Sequence, residues 1–148
     1  MRKWLIPPVL FLLCLAAMGL LRWAWPIAIW LYPPVTWLGV LPVLAGLGLG
    51  LAGVWRFRRH RTRIMPFREA KRLVCDGVYR CTRNPMYLGD VLMLLGVWIA
   101  LGALSPLAPA ALFAIVTDRW YIPVEEEMLR RKFGREFEDY CRRTRRWI

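Results

Sequence analysis

The sequence predicts an all-α integral membrane protein, a helical bundle of about four transmembrane helices with a cytoplasmic loop and an amphipathic helix near the carboxyl end. Hydrophobic residues make up 58% of the 148 residues, and long uncharged runs carry that excess, as they do in membrane spans. The 22 Lys and Arg exceed the 10 Asp and Glu, and they lie mostly beside the apolar runs. The length favours a single domain, residues 1–148.

The apolar runs predict four spans, at about residues 4–23, 36–56, 85–104 and 106–123, separated by a loop at 57–84 and followed by a tail at 124–148. In the second span, Gly46 and Gly50 have the spacing that allows two helices to pack closely. In the fourth, Pro106, Pro109 and Pro123 favour a bend or an interruption, because proline removes a backbone N–H from the helix.

The distribution of Lys and Arg predicts how the spans are oriented. Residues 56–84 carry ten of them and the tail from residue 119 carries nine, whereas residues 24–35 and 103–108 carry none. We therefore expect both termini and the large loop in the cytoplasm. The basic start of the chain is similar to a signal peptide, but no small-residue cleavage site follows it, so we expect a retained membrane helix.

Several kinds of site have little support. The basic stretches flank apolar spans and match no nucleic-acid-binding module, so contact with anionic lipid explains the net charge of +12 better. Cys14, Cys75, Cys81 and Cys141 are expected to be reduced thiols, and with His60 as the only histidine they make no metal site. There is no Gly-x-Gly-x-x-Gly or P-loop motif for a nucleotide.

Two polar blocks interrupt the apolar pattern. The first, residues 76–89, contains a turn signal at Asp76-Gly77 and has Pro85 at the start of the third span. Proline in the first helical turn leaves neighbouring N–H groups free to bind an anion or a carboxylate. The block therefore indicates either a polar-ligand site at the membrane surface or a capped helix whose arginines extend to the interface.

The second block begins with Glu125 and Glu126, directly after the fourth span. Carboxylates beside a membrane are costly unless paired, so we expect arginine partners or a cationic ligand; alternatively, they simply begin the tail helix. Asp90, one turn inside the third span, is either a functional group or part of an ion pair. Apolar residues at helical spacing predict an amphipathic helix at residues 124–143: Met128, Leu129, Phe133, Phe137 and Tyr140.

The residues of the two blocks also form a combined motif. It consists of Gly77-Val78-Tyr79-Arg80 with Arg83-Asn84-Pro85-Met86-Tyr87-Leu88-Gly89, and of Glu125-Glu126 with Leu129, Phe133-Gly134, Phe137 and Tyr140. This motif closely resembles the isoprenylcysteine carboxyl methyltransferase family, which includes bacterial membrane methyltransferases and is similar to phospholipid N-methyltransferases. The resemblance covers about residues 60–148.

The resemblance implies an integral membrane enzyme that uses S-adenosylmethionine, with a cofactor pocket open to the cytosol and an acceptor that enters from the lipid. Carried over residue by residue, the family's cofactor contacts are Lys71, Arg72, Leu73, Val74, Tyr79, Asn84, Pro85, Met86, Tyr87 and Glu125. Glu126 is the second member of the family's acidic pair. The bacterial character of the motif implies a bacterial inner membrane.

Two positions depart from the family pattern. Asn84 stands where eukaryotic members have His, although many bacterial relatives share Asn. Tyr121 stands where the family has a substrate-side arginine, and the nearby Arg119 would point elsewhere on a regular helix. An arginine suits a carboxylate substrate. The absence of arginine at position 121 therefore argues against carboxyl methylation of a prenylcysteine.

The expected function is methyl transfer to a lipophilic or membrane-embedded acceptor, whose reacting group is an isoprenylcysteine-type carboxylate, a thiol or an amine headgroup. The protein must hold donor and acceptor in line and exclude water. Tyr87 and Tyr121 would shape the passage from the lipid, and Glu126 or Asp90 would help to remove the proton of an amine. The alternative is a non-enzymatic membrane scaffold or assembly factor of the same architecture, which would bind no cofactor.

Overall fold

The computed structural model describes residues 7–59 and 72–148 of the chain. Its helices are α1 (Pro7–Ala24), α2 (Val40–Arg59), α3 (Pro85–Leu101), α4 (Leu107–Val116), α5 (Ile122–Phe133) and α6 (Arg135–Arg143). Short 3₁₀ turns precede α2 and α3 at Val35–Gly39 and Gly77–Arg80, and a π-helical segment, Thr117–Tyr121, joins α4 to α5.

Within these described residues, extended pairing is limited to one isolated bridge between Ile29 and Ala103. The all-α prediction is therefore confirmed for this part of the chain. The expectations that concern the first six residues, His60 and Lys71 lie outside the described residues.

Two helical stretches are long and apolar enough to cross a membrane, Pro7–Ala24 with a mean hydropathy of 1.7 and Val35–Arg59 with 1.9. Helix α3 is also apolar but has 17 residues. Large apolar side chains face outward around α2, with Trp37 73% and Leu41 65% exposed, which is typical of a surface that contacts lipid. These features are those of an integral membrane protein, and the arrangement of four spans stays a prediction.

Helices α2 and α3 approach each other through glycine. A Cβ atom added to Gly89 would lie 2.6 Å from the carbonyl oxygen of Gly46 and 3.1 Å from the backbone nitrogen of Gly50. Farther along α3, a Cβ atom on Gly96 would lie 2.5 Å from the carbonyl oxygen of Gly39. The close packing predicted from this spacing is confirmed at Gly46, where an added Cβ atom would collide with the carbonyl oxygen of Gly89, whereas one on Gly50 meets nothing within 4 Å. The contact holds the start of α3 against α2.

Helices α1 and α4 also pack against α3, which makes α3 the central helix. Met18 of α1, Leu94 of α3 and Phe113 of α4 are completely buried in one apolar cluster. The ring of Phe11 meets that of Phe113 edge to face, with centroids 5.9 Å apart. These contacts fix the direction in which α4 continues toward the second polar block.

The fourth predicted span is interrupted, as its prolines indicated. Helix α4 ends at Val116, the π-helical segment follows, and α5 begins at Ile122. Pro123 has no N–H to donate to the preceding turn, and the wider π-helical turn accommodates the missing hydrogen bond. The extra residue in that turn changes the direction in which Tyr121 and the side chains of α5 point.

The tail contains two helices, not the single helix expected at residues 124–143. The chain breaks at Gly134, whose φ of 52° is accessible mainly to glycine. Phe137 and Tyr140 of the predicted apolar stripe are buried, and they pack with Val74 and Tyr79 of the loop. The tail therefore covers the segment that leads into α3.

The glycine contact between α2 and α3 can be tested with two matched substitutions. We expect Gly46→Ala to destabilise the protein by about 1–3 kcal/mol, because the new Cβ would collide with the backbone of α3. Gly48→Ala, on the same helix, meets nothing within 4 Å and should be neutral or stabilising by up to about 1 kcal/mol. Thermal unfolding in detergent measures both, and equal melting temperatures would contradict the packing described.

Candidate active site

The centre of the candidate site is a hydrogen bond between the first turns of α3 and α5. The hydroxyl group of Tyr87 donates to Oε1 of Glu125 at 2.7 Å. Burial raises the pKa of Glu125 from its ordinary 4.5 to about 7, and the hydrogen bond from Tyr87 opposes part of that rise. A cation placed beside Glu125 would favour its charged form, so this carboxyl group is suited to bind one.

Tyr79 lies beside this pair and is held by the tail. Its backbone carbonyl accepts a 2.7 Å hydrogen bond from the hydroxyl group of Tyr140, and its ring meets that of Phe57 edge to face at 5.5 Å. Burial raises the pKa of Tyr79, and the nearby Tyr140 and Glu125 raise it further. The Tyr79 side chain is thus placed within the electrostatic reach of Glu125.

The hydroxyl group of Tyr79 is buried, yet it has no hydrogen-bond partner among residues 7–59 and 72–148. The same holds for Nε of Arg83. Buried polar atoms are rarely left unpaired, because each unmade hydrogen bond costs about 1–3 kcal/mol. Two such atoms close to the predicted site are available as hydrogen-bonding groups for a polar ligand.

The turn that carries Tyr79 is fixed by an ion pair and a glycine. Nη1 of Arg56, near the end of α2, lies 2.7 Å from Oδ2 of Asp76. Gly77 follows with a φ of 61°, and a Cβ atom at that position would collide with the Arg56 guanidinium group. The turn predicted from Asp76-Gly77 is therefore present, and it is tied to the carboxyl-terminal end of α2.

Pro85 begins α3, as the sequence predicted, and no side chain caps the helix. The side-chain amide of Asn84 donates instead to the carbonyl oxygen of Arg146 at 3.0 Å. Met86 packs against Gly53 of α2, where an added Cβ atom would lie 3.0 Å from Cγ of Met86 and 3.4 Å from the hydroxyl oxygen of Tyr79. The small residue at position 53 lets α2 form one wall of the site.

Glu126, the second acid, is held in ion pairs. Its Oε1 lies 3.1 Å from Nη2 of Arg83, and its Oε2 lies 2.8 Å from Nη2 of Arg146. Arg146 also reaches Asp118 at 3.4 Å, and the indole N–H of Trp147 donates to the same carboxylate at 2.9 Å. Residues 145–147 therefore connect the start of α3 to the π-helical segment and α5.

Sequence reasoning missed this role of Arg146 and Trp147. The segment shows no helical or strand period, and a basic stretch at the end of a membrane protein is usually assigned to lipid contact. The available signal was the unpaired acidic residues near the fourth span, which needed arginine partners.

The remaining predicted residues are placed as follows. Tyr121 is buried with Tyr87 and Ile122, whereas the side chain of Arg119 is 80% exposed, consistent with the expectation that it points elsewhere. Asp90 lies half-buried one turn from Tyr87 on α3.

Val74 and Leu73 belong to the apolar cluster around Tyr79, and Arg72 is exposed. Their roles toward a cofactor or acceptor stay predictions.

The sequence of this chain is similar to those of known proteins. Residues 34–136 match the family model for phospholipid methyltransferase. A probable protein-S-isoprenylcysteine O-methyltransferase of Oryza sativa subsp. indica is 32% identical over 115 residues, or 74% of this chain and 59% of that protein. Protein-S-isoprenylcysteine O-methyltransferase A of Arabidopsis thaliana is 30% identical over 108 residues, or 70% of this chain and 53% of that protein.

The chain thus spans between half and two thirds of the length of these curated relatives. No solved structure matches it. The resemblance predicted from the two polar blocks is confirmed by these matches.

Burial of Glu125 predicts a specific pH dependence of stability. The pKa of Glu125 is about 7 in the folded protein and 4.5 ordinarily, so folding favours the protonated carboxyl group. The stability that Glu125 contributes is therefore fully present below about pH 4.5 and is lost as the pH rises through about 7. Melting temperatures in detergent should therefore fall over that interval in the wild type. The fall should be smaller in Glu125→Gln, by on the order of several degrees.

The matched control is Glu127→Gln on the same helix. The exposed Glu127 carboxylate pairs with Arg131, which lowers its pKa, so its contribution is present above its ordinary pKa and lost as the pH falls. Identical pH profiles for the wild type and Glu125→Gln would show that Glu125 is not buried as described.

Proposed function

The chain belongs to the phospholipid methyltransferase family, and from this premise we propose that it is a methyltransferase that uses S-adenosylmethionine and acts on a lipophilic acceptor in the membrane. The observation that carries the proposal is the buried Tyr87–Glu125 hydrogen bond next to the unpartnered Tyr79 hydroxyl group. A buried acid beside buried, unsatisfied donors suits a ligand that has both a cation and hydrogen-bonding groups.

The residues at the site fit S-adenosylmethionine, which supplies a methyl group already activated by its positive sulfur. We assign Glu125 to the cationic part of the cofactor, its sulfonium or its ammonium group. Tyr79 and Arg83 offer the unpartnered hydroxyl group and guanidinium N–H to its polar atoms. At the start of α3, which no side chain caps, the backbone N–H groups of Met86 and Tyr87 would face its carboxylate.

The other predicted cofactor residues support this arrangement in different ways. Leu73 and Val74 pack around Tyr79 and hold its ring in place, while Met86 and Gly53 bring α2 close to the site. We keep Arg72, which is exposed, as a candidate for the outer edge of the pocket together with Lys71.

The charges near the site bear on the acceptor. Arg83 and Arg146 both pair with Glu126, and Arg119 points outward. The acids Asp90 and Glu125 lie on the side of α3 and α5 where Tyr87 and Tyr121 meet. This distribution disfavours a carboxylate acceptor and favours a thiol or an amine headgroup.

If the acceptor is an amine, its proton must leave as the methyl group is transferred. The ion pairs of Glu126 make it a poor proton acceptor, because two guanidinium groups stabilise its charged form. We therefore favour Asp90 for this role, with Tyr121 and Tyr87 lining the passage between lipid and site.

We further propose that the protein crosses a bacterial inner membrane several times, with both termini and the site on the cytoplasmic side. Along α4 and the π-helical segment, the exposed side chains change from apolar at Ile115 to charged at Arg119 and aromatic at Trp120. This succession is typical of a membrane boundary. Glu125 then lies about one turn beyond that boundary.

The enzymatic function is tested by incubating the purified protein with S-adenosylmethionine labelled on its methyl group and with extracts of membrane lipids and lipidated thiols. Label should appear in a lipophilic product with the wild type and fall about tenfold or more with Glu125→Gln. Absence of transfer together with absence of cofactor binding would favour the scaffold alternative.

Tyr79→Phe separates a ligand-binding role from a structural one. The substitution removes a buried hydroxyl group that has no described partner, so stability should be unchanged or slightly higher. If that hydroxyl group binds the cofactor, affinity for S-adenosylhomocysteine should fall about threefold to tenfold, which corresponds to the free energy of one hydrogen bond. Equilibrium dialysis measures affinity, and thermal unfolding measures stability.

Tyr140→Phe is the matched control for this test. Its hydroxyl group does have a partner, the carbonyl oxygen of Tyr79, so the loss should lower the melting temperature. A Tyr79→Phe variant that binds as tightly as the wild type would remove Tyr79 from the cofactor site.

A further inference from the structure

The end of the described chain forms a strap, residues 144–147, that crosses the candidate site. Thr144 is buried, and the backbone carbonyl of Arg145 accepts a 3.0 Å hydrogen bond from the N–H of Arg83. The carbonyl of Arg146 accepts two more, from the hydroxyl group of Thr82 at 3.1 Å and the side-chain amide of Asn84 at 3.0 Å. The backbone of the strap is thus fastened to the three residues before α3.

The side chains of the strap are fastened to the other half of the site. The guanidinium group of Arg146 spans both carboxylate oxygens of Glu126, at 2.8 Å and 3.3 Å, and also reaches Asp118. Trp147 donates to Asp118 and packs on the cluster of Tyr87 and Tyr121. One residue, Arg146, therefore holds the start of α3 with its carbonyl group and the start of α5 with its side chain.

We propose that Arg146 is a positioning residue that sets the distance between Tyr87 and Glu125, and that the strap holds the two halves of the cofactor site in register. Glu125 adjoins Glu126, and Tyr87 lies three residues after Asn84, about one helical turn, so each member of the 2.7 Å hydrogen bond is within one turn of a residue held by Arg146. The inference rests on the proposed function for its link to the cofactor, but the geometry it describes is independent of any ligand.

A second contact favours a positioning role over general stabilisation. Arg83 also pairs with Glu126, so losing Arg146 leaves that carboxylate one partner and need not unfold the tail. What is lost is the link from the strap to Glu126 and Asp118, whereas the backbone contacts of the strap with Thr82 and Asn84 remain. Loss of such a connection changes the geometry of the pocket more than the stability of the bundle.

The test compares Arg146→Gln with Arg146→Lys and with Arg131→Gln. Arg131→Gln removes a 2.7 Å ion pair with Glu127 on the exposed face of α5, and neither residue contacts the strap. Hydrogen exchange of the amides of residues 84–88 is measured on the ligand-free protein in detergent, and affinity for S-adenosylhomocysteine is measured at a temperature where every variant is folded.

We expect Arg146→Gln to speed exchange at residues 84–88 and to weaken binding about tenfold. Arg146→Lys should recover part of both effects because it keeps the charge but loses the two-point contact, and Arg131→Gln should match the wild type. If Arg146→Gln does not fold, Thr82→Val replaces it and exchange is followed at residues 85–88, since this change removes the hydrogen bond to the strap carbonyl and the one accepted from the N–H of Asn84, and leaves every charge in place.

The outcomes separate this inference from the proposed function. Failure of the wild type to bind the cofactor analogue, with faster exchange in Arg146→Gln, would overturn the methyltransferase proposal and support the strap. Binding by the wild type, with unchanged exchange and affinity in Arg146→Gln, would overturn the strap and leave the methyltransferase proposal standing. A lower melting temperature without either local effect would also overturn it, because a merely stabilising contact gives that result.

Discussion

The carboxylate of Glu126, held between the guanidinium groups of Arg83 and Arg146, organises the end of the molecule that carries the candidate site. Arg83 immediately precedes the start of α3, and Arg146 belongs to the strap, so the two ion pairs join three segments at one point. Loss of either arginine leaves the carboxylate paired with the other, whereas loss of Glu126 would leave both guanidinium groups without this partner. The residue two before α3, the start of α5 and the strap all meet there.

Two adjacent acids consequently have different surroundings. Glu126 faces two arginines. Glu125, the residue just before it, faces the hydroxyl group of Tyr87 in a buried position that raises the pKa of Glu125 to about 7. Neighbouring groups in unlike environments can take unlike roles. Here one carboxylate builds the site, and the other remains available to a cation.

Much of the fold follows from the sequence. Uncharged runs predicted α1 and α2, Pro85 predicted where α3 begins, and the spacing of Gly46 and Gly50 predicted the close contact with α3. Each of these predictions depends on residues that are close together in the sequence. The motif residues Tyr79, Tyr87 and Glu125 were grouped by resemblance, and the structure brings them together.

Other features depend on long-range contacts that no local pattern reports. The strap has no periodicity, so its contacts with residues 82–84 and 126 become visible only in three dimensions. Pro123 indicated an interruption but not the π-helical turn that accommodates it. At Gly134 the apolar spacing suggested a continuous helix, whereas the backbone of that glycine turns the chain back toward the loop.

The most direct test of the account is calorimetric titration of the detergent-purified protein with S-adenosylmethionine at about pH 7, in two buffers with different ionisation enthalpies. If a cationic group of the ligand pairs with Glu125, whose pKa burial raises to about 7, binding should be saturable and should release protons from the protein. The release should disappear in Glu125→Gln. Saturable binding with the same proton release in that variant, or no binding by the folded wild type, would contradict the account.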